Sequence, residues 1–190
     1  MPISLFDITL LAHVLPGNAS VIAGFLHPLL GPTHLLAMIA VGLLSAQIGG
    51  RAIWTVPLAF VVLMGIGGFV GVLGDSTPII EYGVAISVIV IGLAMALDNN
   101  IPEGLALLAV GLFGIVHGYA HGEALDVELT AVTLVAYVVG FMMSTAGLHV
   151  IGALIGFIVL RQERGTTILR VSGVIIGLIG VYFLVRLLTI

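Results

Sequence analysis

Six long apolar runs dominate this sequence, at roughly residues 20–47, 52–73, 78–97, 101–121, 128–160 and 165–189. A helix that crosses a bilayer needs about 20 apolar residues, because the hydrocarbon core is ~30 Å thick and each residue rises 1.5 Å. Gly, Asn and charged residues fill the breaks: Gly49-Gly50-Arg51, Gly74-Asp75-Ser76, Asp98-Asn99-Asn100, the acidic stretch from Glu123 to Glu128, and Arg161 to Gly165. Charge is too scarce for any alternative. Only 7% of the 190 residues are charged, whereas a soluble domain devotes about a quarter of its residues to charge. The chain therefore reads as all-α: a polytopic membrane helix bundle of about six spans, a single domain over 1–190 embedded in lipid. Five Arg and no Lys cannot make a basic patch, which excludes nucleic acid as a partner. Zero cysteine excludes disulfides, thiolate metal sites and thiol catalysis. Any transition-metal chemistry must rest on His, carboxylate, Met and backbone oxygen.

Two runs are too long for one upright helix. Residues 20–47 contain His27-Pro28 and Gly31-Pro32, and proline removes a backbone donor and clashes with the preceding turn. The first span is expected to be kinked or broken at Pro28 and Pro32. Residues 128–160 would extend about 50 Å as one helix, so they must tilt, bend near Gly140 or Gly147, or project beyond the lipid. The pairs Gly67 and Gly71, Gly152 and Gly156, and Gly173 and Gly177 have small-xxx-small spacing. Such faces pack helices within one bundle or join two copies. The oligomeric state stays open.

Arginines set the expected orientation. Arg51 falls in the first loop and Arg161 and Arg164 in the fifth, so with six spans they share one side, the cytoplasmic face of a bacterial-type inner membrane. Asp75, Glu81, Glu123, Asp126 and Glu128 then face outward, as do both termini; Arg186 is the discordant charge. Residues 1–18 form an outer segment in which 1–12 are a poor signal peptide, with Asp7 and no basic residue. They are either retained or a remnant of processing.

Ionisable residues at membrane depth carry the functional reading, since each costs several kcal/mol unless it faces protein or water. His27 and His34 lie in HPLLGPTH, within ~20° of one face on an unbroken helix. A break between them would bring them closer and expose carbonyls, as in transporters built on broken helices. Met38 follows His34 by four residues and adds a thioether. His117 and His121 in HGYAHGE are four apart, a spacing that chelates one metal from one face or makes an interfacial polar face. Glu123 follows. Nitrogen with carboxylate suits Ni²⁺, Co²⁺ or Zn²⁺ better than Mg²⁺ or Ca²⁺. His149 is a ligand or a packed polar group, and Glu81 begins the third span. His13 reads as a surface residue; Asp98, with Asn99, is either a helix cap or part of an exit site.

These same residues carry a family resemblance. The segment AGFLHPLLGPTHLLAMIAVGLLSAQIGGRAIW is similar to the first-span signature HPxxGxDHLLAM of the HupE/UreJ hydrogenase and urease accessory permeases. HGYAHGE resembles that family's second histidine motif, Glu81 in EYGVAISVIVIGL its glutamate, and His149 in STAGLH its fifth-span histidine. The resemblance covers about Ala12 to the C-terminus. It implies a secondary permease importing Ni²⁺, with Co²⁺ as the next ion, in the service of metalloenzyme maturation proteins. In one place the pattern departs. Thr33 stands where the family has Asp, which removes a charged ligand or a partner that orients His34.

The resulting expectation is a carrier whose site draws on His27, His34, His117, His121, Glu123, His149 and Glu81, with no prosthetic group and no enzymatic activity. The divalent metal itself is the cargo, Ni²⁺ first and Co²⁺ or Zn²⁺ as alternatives. No GxxxxGK[ST] motif is present, so the driving force is the ion gradient, the membrane potential or proton exchange. A dication gains ~2.3 kcal/mol per charge per 100 mV. Two other classes compete: a metal sensor or accessory membrane protein that binds without flux, and an intramembrane zinc metalloenzyme. The second lacks HExxH, because Gly118 occupies the position of the general base.

Overall fold

A computed structural model describes residues 20–75, 77–97, 101–125 and 130–189. His13 and the 1–18 segment, Asp98, Asn99, Asp126 and Glu128 fall outside the described residues. Within them the chain is entirely helical: α1 (Val21–Leu30), α2 (Pro32–Ile48), α3 (Ala52–Val72), α4 (Pro78–Leu97), α5 (Glu103–Glu123), α6 (Ala131–Leu160) and α7 (Gly165–Leu188). Helices α3 to α7 are each long and apolar enough to cross a membrane. Helices α1 and α2 are the two arms of a broken first segment and meet at 85°.

The break has a local cause. Gly31 is extended, with φ −88° and ψ 108°, and its N–H still caps α1 by donating to the His27 carbonyl at 3.2 Å. Pro32 then occupies the first turn of α2, where its missing N–H costs nothing, and Leu35 N–H bonds the Gly31 carbonyl at 2.8 Å. By contrast the 128–160 run forms one uninterrupted helix of 30 residues. Thr130 and Thr133 close a capping box at its start.

Burial is inverted relative to a soluble protein. Large apolar side chains such as Trp54, Leu73, Leu108 and Leu178 point outward, toward lipid, while the interior collects Gly, Ala, Met, Ser and His. Lipid tails are as apolar as leucine, so helices associate through close packing and not through hydrophobic exclusion. Glycine supplies that packing. Helices α3 and α5 run parallel in constant register, with Phe60 against Gly114, Met64 against Gly118 and Gly68 against Gly122. A Cβ at Gly118 would overlap the Met64 carbonyl oxygen, and one at Gly71 the Tyr119 carbonyl. Helices α2 and α6 also run parallel, Gly42 seating against His149 and Ala46 against Gly156. Helices α4 and α7 are antiparallel through Gly92, Gly173 and Gly180. All three small-residue pairs singled out in the sequence face partners inside the bundle.

Because α2 and α6 are parallel, Arg51 and Arg161 lie at a common end. That end is stitched by Gln47 Nε2 donating to the Met95 carbonyl at 3.0 Å and by Thr55 Oγ1 donating to Glu103 at 2.6 Å. At the other end Tyr119 O–H donates to the Asp75 carbonyl at 3.0 Å. The turn from α2 to α3 needs left-handed backbone, at Gly49 (φ 77°) and Gly50 (φ 56°).

The glycine contacts predict a sharp contrast between positions. Gly118→Leu should destabilise the protein by about 1–3 kcal/mol through overpacking of α3 against α5. Gly147→Ala, where an added Cβ meets open space, should leave stability unchanged or raise it. Thermal unfolding of the two variants in detergent checks this.

Candidate metal centre

Four imidazoles come together where the broken segment meets α5. His27 ends α1, His34 begins α2, and His117 and His121 sit in the last two turns of α5. The 85° elbow turns the last turn of α1 back over the first turn of α2, leaving the His27 and His34 ring centroids 6.4 Å apart. His34 lies 5.0 Å from His117 and 4.7 Å from His121, and His27 is 4.7 Å from His121. The HGYAH pair thus grips a third imidazole between its two rings. His117 and His121 are fully buried, and His27 and His34 are 9% and 8% exposed.

Each ring has a close neighbour. Ser87 Oγ donates to the Val84 carbonyl at 2.7 Å and stands 2.8 Å from His117 Nε2. With the single hydroxyl proton directed at the Val84 carbonyl, Oγ accepts from His117 Nε2–H and the Nδ1 lone pair is free. That Nδ1 is buried with no hydrogen-bond partner among the described residues. Tyr137 O–H lies 2.9 Å from His27 Nδ1, and Phe141 stacks on His121 at 5.0 Å with an interplanar angle of 14°. Thr33 Oγ1 is 3.4 Å from His34 Nδ1, a long contact in the place where the family's Asp would give a charged one.

Three further candidates remain. Glu123 Oε2 accepts from Thr77 N–H at 3.3 Å, and the Glu81 carboxylate is near enough to repel it. These two acids form a pair at the Asp75 end. His149 is separated from the cluster by Phe60, whose ring is 5.3 Å from His117 and 5.0 Å from His149. Beside His149 a lateral crevice of about 400 Å³ opens between α3 and α6, walled by Trp54, Pro57, Leu58, Ala153 and Phe157. Its lining is almost wholly apolar, so it suits an acyl chain and not a cation. Among the described residues no three His, Asp or Glu side chains aim donor atoms at one point as a metal shell requires. The four rings meet edge to face. Their χ2 torsions are soft, so modest rotation of the rings redirects their nitrogens.

The match to known proteins extends over nearly the whole chain. Residues 1–183 match the HupE / UreJ protein family. The chain belongs to the HupE/UreJ family. It is 39% identical over 175 residues to Protein HupE of Rhizobium leguminosarum bv. viciae, a stretch that is 92% of this chain and 89% of that protein. No solved structure matches it. Within this HupE/UreJ chain the sequence motifs located the imidazoles but missed Ser87, Tyr137, Phe60 and Phe141. Ser87 had a signal, a lone hydroxyl in the apolar run of α4. The aromatic residues had none, because their spacing is that of ordinary packing.

The tautomer of His117 is directly measurable. Nitrogen-15 NMR of histidine-labelled protein should show one imidazole locked with its proton on Nε2. Ser87→Ala should release it into tautomer exchange, with little change in the fold.

Proposed function

We propose that this protein is a secondary permease that imports a divalent transition-metal cation, Ni²⁺ first and Co²⁺ or Zn²⁺ as alternatives. The observation that carries this reading is the convergence of four buried imidazoles from three helices inside a lipid-facing bundle. An imidazole at membrane depth is costly, and four together are tolerated where a cation or water visits them. Imidazole suits Ni²⁺, Co²⁺ and Zn²⁺, and membership of the HupE/UreJ family supports nickel as the cargo.

The carboxylates Glu81 and Glu123 form the acidic mouth that captures the hydrated ion, with the Arg51 end facing the cytoplasm. The ion then sheds water onto His27, His34, His117 and His121 after their rings turn toward it. His117 offers Nδ1, and the hydroxyls of Ser87 and Tyr137 set the tautomer of their imidazoles. His149 receives the ion beyond Phe60. Membrane potential draws the dication inward, and release feeds the proteins that mature metalloenzymes. An enzymatic reading has little support: Gly118 replaces the glutamate of HExxH and packs against Met64.

Uptake of radioactive Ni²⁺, Co²⁺ and Zn²⁺ into proteoliposomes tests this. Wild type should accumulate Ni²⁺ under an inside-negative potential, and His34→Ala should lose about 10–100-fold in apparent affinity or fail altogether. Ligation needs neutral imidazole, so uptake is present above the ordinary histidine pKa near 6.5 and is lost as pH falls. Tight binding without flux would favour the sensor reading. Uptake unchanged between pH 8 and pH 5 would overturn imidazole ligation.

A further inference from the structure

Level with His117, and deeper than the other three imidazoles, lies a second polar point made of sulfur. Thr145 Oγ1 stands 3.3 Å from Met38 Sδ and 3.4 Å from Met64 Sδ, so two thioethers from α2 and α3 converge on one hydroxyl from α6. All three residues are fully buried. Their places in the helices fix the level. Met38 is one turn past His34 and Thr145 one turn before His149, while Phe141, one turn before Thr145, stacks on His121. Met64 is one turn from Phe60, which touches both His117 and His149. The three-helix point therefore sits one turn deeper than His34 and His121 and one turn short of His149.

We infer that Met38, Met64 and Thr145 form a metal transit station, a soft, neutral thioether–hydroxyl site that passes the cation from the imidazole cluster toward His149; the transit role rests on the permease reading. A layer of Leu or Val at this level would confront a half-dehydrated dication with hydrocarbon alone. Thioether sulfur is polarisable and ligates d-block cations, yet it carries no charge and holds a borderline ion weakly. Conduction needs that combination, binding strong enough to admit the ion and weak enough to release it. The same donors prefer softer ions, so the station should bind Ag⁺ well.

Two measurements test it on purified full-length protein. Calorimetric titration with Ag⁺ should show one more bound equivalent in wild type than in the Met38→Leu/Met64→Leu variant, whose side chains nearly conserve volume. The variant should keep the Co²⁺ absorption spectrum of the imidazole cluster, while Ni²⁺ flux into proteoliposomes falls about tenfold or more. Should the double variant fail to fold, the single Met38→Leu and Thr145→Val variants should each weaken that Ag⁺ site, with Thr145→Ser restoring it. Equal Ag⁺ binding in wild type and variants overturns the station. Undiminished Ni²⁺ flux with one Ag⁺ equivalent lost overturns its transit role. Failure of the permease reading is separate: it shows as wild type that carries no Ni²⁺, whatever the Ag⁺ titrations give.

Discussion

The near-contact of the α3 and α5 backbones governs this structure. Phe60, Met64 and Gly68 meet Gly114, Gly118 and Gly122 in successive turns, and any side chain on the α5 positions would push the helices apart. Nothing in lipid drives helices together by excluding water, so van der Waals contact between backbones has to do that work. The same register places His117 and His121 one turn apart on the interior face of α5. It also sets Phe60 and Met64 alongside them. Packing and site are thus one arrangement: the glycines that bring the helices together determine where the imidazoles stand.

A buried imidazole needs something to do with both nitrogens, because an unmet polar group in a low-dielectric interior is expensive. This bundle meets part of that demand with single hydroxyls. Ser87 takes the Nε2 proton of His117, Tyr137 reaches Nδ1 of His27, and Thr33 stands off Nδ1 of His34. None of these partners is charged. Glu81 lies near enough to Glu123 to repel it, at the Asp75 end of the bundle.

Much of this was legible before any coordinates. Hydropathy and the scarcity of charge were enough for an all-helical membrane bundle, since only one kind of environment accepts such a composition. The elbow was legible in the two prolines of HPLLGPTH, though only Gly31-Pro32 makes the break and Pro28 stays inside α1. Histidine at membrane depth marked the four imidazoles that the fold brings together. The way the rings interleave was not legible: spacing on α5 makes His117 and His121 look like a self-contained pair, whereas tertiary packing slots His34 between them. Nor was the course of the 128–160 run, where glycines at 140 and 147 read equally well as bends. Gly140 instead seats against Val21 of α1, and the helix continues uninterrupted through it. Ser87, Thr145 and Met64 gain meaning only from neighbours on other helices, which one-dimensional spacing does not encode.

The 85° elbow leaves α2 with 17 residues, about 25 Å of helix against a hydrocarbon layer of ~30 Å. A short element in a thick film is met by the film itself: headgroups dip, and water follows them. The corner where His34 begins its helix is where such a dip would bring the aqueous phase nearest the imidazoles.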